Sequence, residues 1–361
     1  MGSLYSFGFN AFGQVDPDSN QKKATHHDVS NVLFTTWEST VISTGELQWW
    51  GYQPMQDNGS SLKALTDWGD RCIRRMFGDL NLCLGAIDDH GNVWYRVLGS
   101  TTNPIQLLAS EAQDAVYCSA LEAIYILTVD GKVDHYKMQK EDDKVAFKLV
   151  ARLTTLPRVY SLAASATHVL FYTAGMDPIY SLGSNRFSQL GFDTSTIQAL
   201  ATPTPIDYFS GLGMMDPNHQ GMVACGLFHS AVVLGGELYT FGWNKDGRLG
   251  WGDNDDDDND VISPAVFLDP KGDPIQEDIS IVRVACGAAH TLAMDDHGRV
   301  WSCGSNKYGQ LGRKTSWQCQ EIGKEDNNDD HDTTFRQVTI LPPESYAKNC
   351  FTGRWSSFIL M

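Results

Sequence analysis

His229 and His290 are the side chains best suited to chemistry in this chain of 361 residues. An imidazole gains and loses its proton near neutral pH, so either is a candidate general base. The two stand 61 positions apart, at matching places in two similar stretches, 225–250 and 286–312. A residue that recurs with its surroundings is read as building those surroundings. Such a histidine, set before a buried strand, can hydrogen-bond a backbone carbonyl of a neighbouring turn. No third residue shares the spacing that a catalytic triad would lend the pair.

Residues 253–260, "DNDDDDND", are a second chemical candidate. Alternating carboxylates suit calcium, but the loop that holds it needs Gly at its sixth position and Glu at its twelfth. Asp258 and Pro264 stand there instead. Like charges with nothing to bury read as a solvated connection. The functional alternative is a docking segment for a basic partner, carried by Asp255, Asp256, Asp257 and Asp258. A further acidic stretch, "KEDNNDDHD", fills 324–332. Both follow a glycine-rich exit, so both are expected to project from one face.

Other chemistries lack their residues. No G-x-x-x-x-G-K-[ST] phosphate loop occurs, and no H-E-x-x-H or paired Cys/His ligand set. Neither cofactor nor metal is expected. The eight cysteines include no C-x-x-C pair, and several lie in apolar runs, as free thiols of a reducing compartment do. A net charge of −17 opposes broad contact with nucleic-acid phosphates or acidic membrane surfaces. No stretch approaches the ~20 apolar residues of a membrane helix, and no signal peptide is visible, so a cytoplasmic or nuclear location is expected.

The elements that must carry these residues are short strands. Cys225, Gly226, His229, Leu238, Gly242 and Asn244 recur as Cys286, Gly287, His290, Val300, Gly304 and Asn306. Each unit reads as strand, tight turn, return strand, then an exit "GWNKDGRLG" or "GSNKYGQLG". Gly242 and Gly304, at the ends of return strands, are read as structural. Weaker copies lie at 39–51, 82–97, 123–137 and 168–191, the third without its closing glycine. Return strands therefore end near 8, 51, 97, 137, 183, 242 and 304.

There are seven return strands and seven first strands, but the first return strand opens the chain and the last first strand closes it. One hairpin has been cut, so residues 4–7 should pair with 356–360. The expected fold is all-β, a seven-bladed β-propeller closed by its own terminal strands. Residues 1–361 are expected to form this one domain, with acidic insertions around 253–260 and 324–332.

The pattern C-G-x-x-H-[ST]…G-x-[LV]-[YW]-x-x-G-x-N-x-x-G-x-L-G resembles the regulator of chromosome condensation repeat family. The likeness is specific at 4–14, 168–191, 225–252 and 286–312, and faint between 56 and 160. Two groups of short members look similar. One is the fungal alpha-tubulin suppressor type, which partners the small CSL zinc-finger protein of diphthamide synthesis and Elongator-dependent tRNA wobble-uridine modification. The other is an animal propeller that partners a Jumonji-domain oxygenase in chromatin. The resemblance implies a non-enzymatic scaffold, a monomer or a heterodimer with its partner. The CSL protein is the preferred partner because no tail extends beyond the propeller.

Exchange of guanine nucleotide on a small GTPase is a third alternative. The founding member's exchange wedge has no counterpart that can be mapped onto these repeats. The plant ultraviolet photoreceptor's Gly-Trp-Arg-His-Thr cluster is likewise unmatched, since the intact copies read Gly-Leu-Phe-His-Ser and Gly-Ala-Ala-His-Thr. Among ten tryptophans, Trp68, Trp243, Trp251 and Trp317 fall in connections. They are read as binding anchors or as covers for blade ends.

Overall fold

Leu4 faces Leu360 and Gly8 faces Ser356 in an antiparallel ladder, so the two ends of the chain share one sheet. In this computed structural model the described residues are 2–18, 25–52, 67–98, 104–141, 144–215, 220–252, 260–275, 277–313 and 330–361. Their strands form seven sheets, the blades of an all-β propeller. From the centre outwards, blade 7 runs Asn349–Thr352, Ser356–Leu360, Gly2–Gly8 and Thr25–Val29. Closure pairs backbone groups that would otherwise leave two edges open.

The innermost strands of blades 1 to 6 are Asn31–Thr35, Ile73–Asp79, Ala112–Cys118, Val159–Ala164, Met222–Cys225 and Ile281–Cys286, each opening a meander. Blade 1 has three described strands, and blade 6 adds Phe267–Leu268, parallel to its outer strand His331–Gln337. The faint region resolves into full blades, because blades 2 and 3 each have four strands. Blade 3 departs from the expected boundary. Its return strand, Val133–Glu141, runs four residues past 137 and pairs in a long hairpin with Lys144–Arg152. Without a glycine of positive φ to turn the chain out, pairing simply continues.

One turn shows how sequence makes the unit. Asp88 is buried, and its carboxylate accepts from the backbone N–H of His90 at 3.0 Å and of Asn92 at 2.8 Å. The indole Nε1 of Trp94 adds a third bond at 2.8 Å. Burial pushes this carboxyl up, but the donors from Trp94, Asn92 and His90 outweigh it and hold it below the ordinary range. Asp295 repeats the arrangement with His297, Arg299 and Trp301. The string "DDHG-x-V-W" is therefore a hairpin with its own internal cap.

The core lies between blades. Leu170 and Tyr172 of blade 4 pack against Val223, Val232 and Phe241 of blade 5, all nearly inaccessible. Each such side chain contributes about 1.5–3 kcal/mol by leaving water. The seven innermost strands enclose a central cavity of about 880 Å³.

Candidate recognition surface

Each innermost strand turns into its neighbour at one face of the disc, and each return strand leaves at that same face. A backbone bond records this in every blade: Tyr52 N–H to Glu38 O, Leu98 to Leu82, Met138 to Glu122, Ser184 to Thr167, Trp243 to Phe228, Ser305 to Ala289 and Phe9 to Trp355. This exit face therefore combines seven short turns with the longer glycine-rich connections. The opposite face carries the hairpin turns between second and return strands.

The glycine-rich exit is a hydrogen-bonded knot. Asn185, Asn244 and Asn306 each accept, through Oδ1, the N–H of the leucine five residues on, at 2.9, 3.1 and 3.0 Å. A hydroxyl on the return strand donates to that leucine's carbonyl: Ser181 to Leu190, Thr240 to Leu249 and Ser302 to Leu311. Gly242 has φ +110°, and a Cβ there would come within 2.7 Å of His229 Cα and Phe228 O. Gly304, at φ +102°, would approach His290 Cα to 2.7 Å. Only glycine fits such approaches.

The histidines link blade to blade. Nε2 of His168 lies 2.8 Å from Ser230 Oγ, that of His229 lies 3.0 Å from Thr291 Oγ1, and that of His290 lies 3.0 Å from Ser357 Oγ. The three hydroxyls donate onward, Ser230 to Gln189 O, Thr291 to Arg248 O and Ser357 to Gln310 O, each at 2.7 Å. A hydroxyl that has given its proton to a carbonyl can only accept from the ring, so Nε2 carries the hydrogen. Nδ1 of His229 and of His290 is buried without a hydrogen-bond partner, its ring seated against Gly226 or Gly287.

Burial pushes the His168 and His290 imidazoles down to about 3, and desolvation, with Arg248 nearby, lowers His229 strongly too. A serine beside a histidine suggests a nucleophile and its base. Here the serine proton is committed to a carbonyl and both groups are fully buried. The sequence points to a direct bond from histidine to carbonyl; the structure interposes the hydroxyl of the next blade.

Aromatic side chains gather on the exit face. Phe12, Trp37 and Tyr52 are 40%, 41% and 44% exposed, with Phe12 meeting Trp37 edge-on at 5.3 Å and Tyr52 at 6.1 Å. The chain of contacts continues from Phe12 to Phe9, to Tyr308 at 4.9 Å and to Trp355 at 5.8 Å. Separately, Trp243 stacks on Phe187 at 4.9 Å, and both meet Phe228.

The anticipated anchors divide. Trp243 lies in this surface, half-buried, with the Arg248 guanidinium 4.8 Å from its ring. Trp251 donates from Nε1 to Thr240 at 2.8 Å and bridges to Thr334 of blade 6, sealing a blade end. Trp68 is a correction: it is 1% exposed, beneath the Arg96 guanidinium, because it packs with Leu33, Val41 and Met76 between blades 1 and 2. Asp255, Asp256, Asp257, Asp258 and Trp317 lie outside the described residues. Phe12, Phe187 and Tyr308 were missed, although each stands two residues after an exit asparagine, a spacing the repeat already contained.

Two groups, Asp88–Asp89–His90 and Asp295–Asp296–His297, bring three ligand-type side chains together. The buried carboxylate of each is already taken by its own turn, as described above.

Residues 235–294 and 297–338 match the family described as regulator of chromosome condensation (RCC1) repeat, and 281–310 match a second description of the same repeat. The mouse E3 ubiquitin-protein ligase HERC2 is 33% identical over 235 residues, 64% of this chain but 4% of that protein. The chain thus spans a small fraction of that relative. Mouse RCC1 domain-containing protein 1 is 26% identical over 370 aligned positions, covering 87% of this chain and 88% of that one. Yeast RCC1 (Prp20), solved bound to Kap60, superposes with a TM-score of 0.66 at 12% identity, over 99% of this chain and 88% of that one. Residues 235–338 thus match regulator of chromosome condensation repeats, and the fold that carries them is a seven-bladed propeller.

Proposed function

We propose that this chain is a recognition platform that binds a protein partner through its exit face. The observation that carries this reading is the trio Phe12, Trp37 and Tyr52, exposed by about two-fifths, with Trp37 and Tyr52 both packed against Phe12. Clustered, rigid aromatics of this kind are the usual anchors of an interface, since they lose little rotamer freedom on binding. The histidines support a scaffold rather than a catalyst, being committed to inter-blade bonds. A protein-binding role also agrees with the complex of yeast RCC1 and Kap60.

For the partner, the resemblance favours the small CSL zinc protein, placing the chain in Elongator-dependent tRNA wobble-uridine modification and diphthamide synthesis. The single-domain arrangement over 1–361 is part of the same proposal. The mouse relative that pairs over most of its length supports the animal-type alternative, an adaptor of a Jumonji-domain oxygenase. Calorimetric titration of the purified chain with each candidate separates them. Saturable binding of the CSL protein, weakened roughly thirtyfold by Trp37→Ala, is the expected result. Binding of the oxygenase alone would replace the partner. Accelerated GDP release from a small GTPase would replace the scaffold reading with exchange activity.

A further inference from the structure

The charge on the disc is sorted by face. The hairpin turns opposite the exit face place a carboxylate in six blades, at Glu46, Asp89, Asp130, Asp177, Glu237 and Asp296. On the exit face, blades 4 to 6 each present a cation at a matching place. Arg186, Lys245 and Lys307 each directly follow an exit asparagine, at Asn185, Asn244 and Asn306, and each is exposed. Among the described residues, none of the three has a carboxylate within ion-pair distance. The nearby Asp246 is held by Arg248 at 3.1 Å, Asp193 caps its own turn through Ser195, and Asp330 stands beside Asn306, whose N–H its backbone carbonyl accepts.

Each cation also lies beside an aromatic ring. The Arg186 guanidinium is 5.3 Å from the Phe187 centroid, Lys245 Nζ is 5.8 Å from Trp243 and Lys307 Nζ is 5.7 Å from Tyr308. The knot that fixes the asparagine fixes where the next side chain starts, so the three cations recur at blade spacing as an arc. In a chain of net charge −17, three cations thus stand in register on one sector of one face, without an ion-pair partner among the described residues. Elsewhere on that face Glu38, Asp79 and Glu122 stand on blades 1, 2 and 3, the last of which adjoins blade 4.

Resting on the platform reading, we infer that the arc Arg186–Lys245–Lys307 docks an acidic polypeptide segment that carries at least one aromatic or large aliphatic side chain. The carboxylates meet the cations, and the apolar group lies on the adjacent rings of Phe187, Trp243 and Tyr308. Charge complementarity of this kind sets orientation and on-rate. A polyanion such as RNA is disfavoured. It would spread phosphates beyond the arc, over Glu38 and Asp79, where a short acidic segment stops.

The test is selection from a displayed peptide library with the whole chain as bait, followed by titration of one selected peptide. The comparison is with the triple variant Arg186→Glu, Lys245→Glu, Lys307→Glu. These exposed substitutions leave the inter-blade bonds intact, which circular dichroism and an unchanged melting temperature will verify. Acidic peptides bearing an aromatic or large aliphatic residue should be enriched. Their binding should weaken at least about tenfold in the variant and fall with added salt. Selection of neutral or basic peptides, or affinity unchanged by the triple reversal, would overturn the inference while leaving the platform reading intact. Tighter binding of a short oligouridylate than of any peptide would overturn it as well. If Phe12→Ala and Trp37→Ala variants bind the intact partner as the parent does, the platform reading fails instead.

Discussion

Nε2 of His290, in blade 6, lies 3.0 Å from Oγ of Ser357, in the blade that holds both ends of the chain. Ser357 in turn donates to Gln310 O at 2.7 Å. The bond closes the ring with side chains where the terminal strands close it with backbone. Replacing Ser357 by Ala leaves a buried imidazole N–H and a buried carbonyl without partners. Stability should drop by about 1–3 kcal/mol, read by urea denaturation, whereas Ser357→Thr should retain most of it.

The same relay sets an acid limit. In the unfolded chain a histidine titrates near 6.5, but His168 and His290 are pushed down to about 3 in the fold. Below about pH 6.5 the unfolded state therefore binds protons that the native state refuses. Each of these histidines removes about 1.4 kcal/mol per pH unit as pH falls from 6.5 towards 3. The denaturation midpoint should decline steadily across that window. A midpoint flat between pH 6.5 and 4 would contradict the burial of these rings.

Gly304 makes one of the tight backbone approaches at the exits. Its φ of +102° and the proximity of His290 Cα leave no room for a methyl group. Gly304→Ala should cost more than about 1 kcal/mol and lower the melting temperature by several degrees. At Gly309, also of positive φ, an added Cβ meets nothing within 4 Å. Gly309→Ala should therefore cost less, through backbone strain alone.

Trp37 and Phe12 contribute little to the core, being 41% and 40% exposed. Truncating either to alanine should leave the melting temperature nearly unchanged. Partner affinity should fall roughly thirtyfold, the loss typical of a central aromatic anchor. Loss of stability without loss of binding would assign the pair to packing.

Much of this was legible in the chain. A glycine is repeated where backbone approaches backbone, and a histidine where it fills the seat that glycine leaves. Both demands are local, so they recur at a fixed offset and reveal the unit. The count of half-units at the two ends implied the pairing of residues 4–7 with 356–360, and the structure sets its register, Leu4 against Leu360. Blade 3 was harder to see because it lacks the closing glycine, and its strand runs on to Glu141.

The repeat by itself determined the strands, their turns, the number of blades and the ring. It did not determine what faces water. Trp68 and Trp37 both stand in connections, yet one is sealed beneath Arg96 between two blades and the other stands open on the exit face. Burial depends on which residues arrive from neighbouring blades, tens of positions away, and no local spacing encodes that. For the same reason the partner of each histidine, the aromatic cluster and the cationic arc exist only once seven units are bent into a circle.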